Sequence, residues 1–253
     1  MKKTLIMLSL CALLVGCTKD WGTPTTRNYP INGPFTGLEV SDAFQVTMSD
    51  QVTDVVVTVG DVAHKNVEVK VVNGKLHIGF KPNTMFYNGT ATAVIPASLL
   101  YDLDLSGASS FTGNLEGEYV EIDLSGASIF SGNVSAGDID FDLSGASSFT
   151  GIVEAEKLEF DLSGASTITV EGYSNTYMEL DLSGATTLNA ANLETPMVFG
   201  NMSGGSFADV TCCSSLNVEL SGGSTLVYGL ISNDCQPNVN CPCTGGSIVR
   251  PRM

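Results

Sequence analysis

Along most of the chain apolar and polar residues alternate one for one. In Tyr119-Val120-Glu121-Ile122-Asp123-Leu124, Val120, Ile122 and Leu124 share one face, and Glu121 and Asp123 share the other. That is the period of a half-buried strand. No segment carries the spacing of an amphipathic helix, and helix-cap signals are missing. A hexapeptide punctuates the alternation. Asp104-Leu105-Ser106-Gly107-Ala108-Ser109 returns from Asp123, Asp142, Asp161 and, ending in Thr186, from Asp181. Degenerate copies start at Asn201 and Glu219, so the successive spacings are 19, 19, 19, 20, 20 and 18 residues.

Each period reads as strand, corner, strand. Ser-Gly-Ala supplies the corner, where glycine tolerates unusual dihedrals and alanine fits a tight bend. An apolar residue recurs in the second strand, at Phe111, Phe130, Phe149, Ile168, Leu188, Phe207 and Leu226. A two-strand unit of this length cannot bury its own apolar face, so successive units must stack, like residue on like residue. The predicted fold is all-β: a right-handed parallel β-helix, a solenoid of about seven coils of 18–20 residues over 101–230. A propeller would need about 40 residues per blade, and leucine-rich repeats an Asn/Cys ladder that this chain lacks. Residues 35–100 show strand-like runs without the hexapeptide, with Asn73-Gly74 as a two-residue hairpin turn. They are expected to form an N-terminal β region that caps the stack. Residues 231–253 form a Cys/Pro-rich tail.

The first residues carry an address. Lys2-Lys3 precedes an apolar run from Leu5 to Val15, the pattern of a secretory signal over residues 1–16. Leu14-Val15-Gly16-Cys17 resembles the bacterial lipobox, which makes Cys17 the expected lipidation site. Each buried acyl CH₂ contributes roughly 0.8 kcal/mol, so several chains anchor stably. Residues 17–34, with Pro24, Pro30 and Pro34, read as an extended tether. The expected location is the cell envelope, as an outer membrane lipoprotein. Thr18-Lys19-Asp20-Trp21 holds a single acid, which leaves a surface or a periplasmic face open.

Charge sharpens this picture. The 253 residues hold 11 Lys and Arg against 27 Asp and Glu, a net charge of −16. Nucleic acid is thereby excluded as a partner, because its phosphates require a basic footprint. Between Tyr101 and Leu230 there are 19 acids and one base, Lys157, which gives −18. Without Lys2 and Lys3, the rest of the chain has eight acids and eight bases. Stacking predicts an outward ladder of Asp104, Asp123, Asp142, Asp161 and Asp181 beside serines running from Ser106 to Ser221. Unit charges ~4.8 Å apart repel by about 0.9 kcal/mol even in water. Three offsets are open: hydrogen bonds from corner N–H groups or serines, Ca²⁺ bridging the rungs, or carboxyl pKa values raised by like charge. The Gly-Gly-x-Gly-x-Asp pattern of calcium-binding solenoids is missing.

Of seven cysteines, Cys11 lies in the signal and Cys17 in the lipobox. Cys212, Cys213, Cys235, Cys241 and Cys243 remain as disulfide candidates, an odd number that leaves one thiol free or paired between chains. No Cys-x₂-Cys pair or neighbouring histidine suggests a metal site, and no other cofactor is implied. No catalytic residues are assigned. Lys157 is the one base in the repeats, nothing resembles a nucleophile elbow, and His64 and His77 are expected on the surface of the 35–100 region.

The order of lipobox, Phe35-Thr36-Gly37-Leu38-Glu39-Val40-Ser41-Asp42-Ala43-Phe44-Gln45-Val46, Gly74-Lys75-Leu76-His77-Ile78 and Val94-Ile95-Pro96, leading into the first hexapeptide, resembles a known family. This is the head GIN domain family of auto-transporter adhesin-like lipoproteins, common in Bacteroidetes, and the likeness covers about residues 35–230. It implies a right-handed β-helix on the cell envelope and supplies no site motif. The expected function is a lipid-anchored envelope adhesin that binds glycans or surface proteins through its repeat face. The alternatives are a structural scaffold without a ligand or a carbohydrate-active β-helix enzyme. Expected partners are the membrane and a surface ligand, with self-association through the open solenoid ends left open.

Overall fold

The computed structural model describes residues 19–84, 86–87, 89–232 and 234–252. The expected signal peptide and Cys17 lie outside the described residues. Those described form a parallel β-solenoid of about eight turns, each of about 19 residues, with no α-helix and one short 3₁₀ turn at His64–Asn66.

Each coil has three sides. The first carries the hexapeptide's Asp-Leu, with Asp104 opposite Asp123, then Asp142, Asp161 and Asp181. After the corner, the second side stacks Phe111, Phe130, Phe149, Ile168 and Leu188 in register. The third stacks Leu115, Val134 and Val153. Alternation sends every second side chain inward. The column Leu105, Leu124, Leu143, Leu162, Leu182, Met202 and Leu220 is at most 2% exposed. Phe130 stacks on Phe111 at 5.7 Å and on Phe149 at 5.0 Å, while Phe141 reaches across to Phe149 at 4.7 Å. Burying each ring contributes roughly 1.5–3 kcal/mol. Burial on this scale, repeated coil after coil, makes up for the few contacts each unit could make alone.

The corner works through glycine. Gly126, Gly145 and Gly164 have φ of 76°, 73° and 71°, a left-handed conformation that glycine adopts at little cost. A Cβ at Gly164 would collide with the carbonyl oxygen of Gly145 in the coil beneath. The backbone ladder runs on through the corner: Ser125 N–H donates to Leu105 O at 2.8 Å and Ala146 N–H to Gly126 O at 2.8 Å. The hexapeptide's last serine turns inward and closes the bend. Ser128, Ser147 and Ser166 hydroxyls donate to the carbonyls of Ser125, Ser144 and Ser163 at 2.8, 2.9 and 2.8 Å.

Both flanks differ from expectation. The N-terminal region is itself part of the stack. Gly37–Val40 pairs in parallel with Asp102–Leu105, and Gln45–Thr47 with Ser110–Thr112. Beneath them lie Lys75–Phe80 and Ala91–Pro96. Antiparallel strands close this end: Val67–Val72 on Lys75–Phe80, Val55–Gly60 on Ala91–Pro96, and Pro24–Tyr29 outermost. Pro24–Tyr29 is therefore an edge strand rather than a tether, because Val55–Gly60 offers it an unpaired backbone. The tail is structured as well. Asn238–Val239 and Ile248–Pro251 add a last partial coil, and Gly245 has the corner φ of 65°. Arg252 holds the tail down, its guanidinium on Asp209 at 2.5 Å and on the Val210 carbonyl at 3.0 Å. Phe207 is not an inward residue. It pairs with Thr187, and Ala208 takes the buried place opposite Leu188. The residue seven after each hexapeptide start points inward, and here that residue is Ala208.

Candidate ligand-binding face

The first side of the solenoid presents two outward columns of acid. One is the expected ladder, Asp104, Asp123, Asp142, Asp161 and Asp181. The other runs through Asp102, Glu121, Asp140, Glu159 and Glu179, two residues earlier on each strand. Residues i and i+2 of a strand share a face, so the columns lie side by side, ~6.6 Å apart along the strand and ~4.8 Å between coils. The hexapeptide itself carries only the first column. The second was signalled by the acid two places before each hexapeptide, in the alternation itself.

Positive charge meets this face at its N-terminal end and once along its length. Lys75 bridges Asp102 at 2.7 Å and also contacts Asp104, while His77 Nδ1 lies 2.9 Å from Glu39. Burial works to lower the Lys75 pKa, but its hydrogen bonds to the two aspartates outweigh this and raise it. Farther along, Lys157 reaches Asp138 at 2.8 Å. Tyrosines edge the columns. Tyr177 OH donates to Glu159 at 3.1 Å, and Tyr119 OH approaches Asp140 at 3.5 Å. Tyr177 also packs on Phe199, ring centres 5.1 Å apart. Where Lys75 and His77 meet Tyr101 and Asp102, an open hollow of about 360 Å³ lies against the acid columns.

The expected hydrogen bonds from the corner do not form. Among the described residues, no corner N–H or serine hydroxyl donates to Asp123, Asp142, Asp161 or Asp181, because parallel stacking commits those N–H groups to carbonyls of the neighbouring coil. Four carboxyl groups of the two columns, Asp123, Asp140, Asp161 and Glu179, instead hold their protons more tightly. Partial burial, a hydrogen bond with Asp104 and surrounding like charges push Asp123 up to about 7. Burial and then neighbouring carboxylates also raise Asp140, Asp161 and Glu179. No group of three or more His, Cys, Asp or Glu side chains among the described residues is arranged to hold a metal ion.

The remaining sequence candidates lie elsewhere. Cys213 and Cys235 form a disulfide that fastens the segment leading into the last coil. Cys212 is buried, with its thiol pushed up to about 11 by that burial, while Cys241 is half-buried and Cys243 exposed. His64 is not a surface residue: it is 4% exposed, bonded to Tyr29 OH at 2.9 Å and to the Thr25 carbonyl at 2.9 Å. Packing of the Pro24–Tyr29 strand over the 3₁₀ turn buries it. His77 is half-buried beside Glu39.

Solved structures share this architecture. A putative adhesin from Parabacteroides distasonis superposes with a TM-score of 0.79 at 20% identity, over 92% of this chain and all of the other. A putative adhesin from Parabacteroides merdae gives 0.78 at 17% identity, over 93% of this chain and 99% of the other. A structure described as a putative lipid binding protein, also from Parabacteroides distasonis, gives 0.72 at 16% identity, over 93% of this chain and all of the other. At such identities the likeness concerns the fold. No curated protein sequence matches the chain. Residues 34–229 match the family described as "Putative auto-transporter adhesin, head GIN domain", and with most of its length so matched the chain belongs to that family.

Proposed function

We propose that this protein is a lipid-anchored adhesin of the cell envelope that grips an extended surface glycan along its acid-lined side. The observation that carries the reading is the pair of acidic columns, ten carboxylates in register on five successive coils. They offer hydrogen-bond acceptors at a fixed repeat, which suits the hydroxyl donors of a polymer better than those of a single small molecule. Tyr119 and Tyr101 are exposed and add rings on which sugar faces can lie. Anchoring through Cys17 is supported by the lipobox-like Leu14-Val15-Gly16-Cys17. Membership of an adhesin-type family favours binding over catalysis, and the described residues offer no acid, base and electrophile set.

The test is binding of the purified protein to a panel of envelope and host glycans, repeated with Asp123, Asp142 and Asp161 changed to Asn. Saturable binding that the triple variant loses supports the reading. Wild-type and variant failing alike across the panel would leave a structural scaffold as the better account. Turnover of any panel member would make the protein an enzyme.

A further inference from the structure

The folded body starts almost at the expected anchor. Lys19–Asp20 already pairs in parallel with Phe86–Tyr87. Trp21 is 8% exposed, edge-on to Phe80 with ring centres 6.1 Å apart, and its indole lies on Gly89. Pro24–Tyr29 follows as the outermost strand. Four peptide steps separate Cys17 from Trp21, and even fully extended they span only ~14 Å. Such a leash is short beside a solenoid of roughly 50 Å, the length of its stacked strands at ~4.8 Å each.

From this we infer that the capped N-terminal end is a membrane-facing surface, seated on the lipid headgroups, with the acidic coils projecting outward. The inference rests on the lipid-anchor reading above and adds an orientation and a docking surface to it. Charge selects the same pose. Residues 19–100 hold six bases and seven acids, whereas Tyr101 to Leu230 hold 19 acids and one base. The exposed bases Arg27, Lys65 and Lys81 lie on or beside the outermost strands, where they can meet anionic headgroups, while Lys70 is held by Glu68 at 3.0 Å. A rod lying flat on its first side would press its acid columns against the same headgroups, which repel them. Upright, it holds those columns clear of the surface, and the ligand-binding side stays exposed along most of its length.

The chain supplies its own reporter, because Trp21 is its single tryptophan. Full-length acylated protein is reconstituted into vesicles of phosphatidylcholine and phosphatidylglycerol carrying headgroup nitroxides. Trp21 fluorescence should be quenched, and the quenching should be lost when a long Gly/Ser segment is inserted between Thr18 and Lys19. A dye on the exposed Cys243 thiol, in a Cys241→Ser background, reports the far end and should transfer little energy to a headgroup dye. Unquenched Trp21 in vesicle-bound protein, or a Cys243 dye as near the bilayer as Trp21, would overturn the orientation while leaving the anchor intact. Protein that carries no acyl mass on Cys17, or that floats with vesicles equally well as Cys17→Ala, would refute the anchor itself.

Discussion

The coils from Asp102 onward and the region from Gly37 to Pro96 build one prism by different means. In the first, order along the chain is order in space. In the second, the coil made by residues 37–49 lies between the coil made by 75–96 and the one that begins at Asp102. The intervening chain has to leave the stack and return, and it does so as the antiparallel strands that close the end. The corner is also made differently. Asp42 and Ala43, both at φ 61°, take the place of the corner glycine, and the Asp42 carboxylate accepts the Phe80 N–H at 2.8 Å. A coil therefore needs inward apolar residues and a left-handed bend, and the hexapeptide is one way of supplying them. Charge follows from the same contrast. Near-identical coils repeat any outward acid at every rung, so like charges accumulate; the irregular region interrupts them with Lys75.

The contrast can be broken most severely from within the regular coils. Phe149→Ala should cost about 3–5 kcal/mol in denaturant unfolding, since the ring contacts Phe130 and Phe141 and its neighbours cannot collapse into the space. Removing the Cys213–Cys235 disulfide should cost about 2–4 kcal/mol. That loss should be confined to the last coils, visible as hydrogen exchange that accelerates after residue 207 but not before. Gly164→Ala should cost about 1–3 kcal/mol, through the left-handed φ and the collision with Gly145. Ala43→Gly, at the irregular corner, should act in the opposite direction and stabilise by about 0.5–1 kcal/mol, because it relieves a strained non-glycine φ. If both corner substitutions destabilised, the two corners would not be equivalent.

The acid columns give a prediction in pH. Asp123 has its pKa raised from 3.8 to about 7 in the folded protein, so between those values the native state binds more protons than the unfolded chain. Stability from this group is complete below pH 3.8 and is lost as pH rises through about 7. Asp123 is solvent-exposed, and screening by water cuts its contribution to below about 1 kcal/mol, so the melting temperature should fall by about 1–2 °C between pH 5 and pH 8. Asp123→Asn should flatten that slope, and a slope unchanged in the variant would place the proton elsewhere on the face.

Much of the regular region was legible because its periodicity is the structure. A period of two fixes which side chains point inward, and a near-constant spacing of 19 fixes which residues meet on adjacent coils. The first acid column followed directly, and the second was available from the same alternation. The inward turn of Ser128 and its equivalents was not legible, since Ser125 and Ser128 are the same residue type and only the closed bend separates an outward hydroxyl from a buried one. The last coil left a fainter mark. Thr244-Gly245-Gly246-Ser247-Ile248 echoes Ser221-Gly222-Gly223-Ser224-Thr225, but 23 residues on rather than 19, behind prolines that hid it.

By itself the sequence determined the all-β class, the stacking of repeats, the inward columns and the concentration of acid on one part of the chain. Each of these depends on residues close in sequence, or on copies of the same unit. Tertiary structure alone decided the insertion of one N-terminal coil beneath another, the burial of His64, the bridge from Lys75 to the acid columns and the pairing of Cys213 with Cys235. Those features join segments with no shared pattern, and which segments meet is set by how the whole chain closes the ends of its own stack.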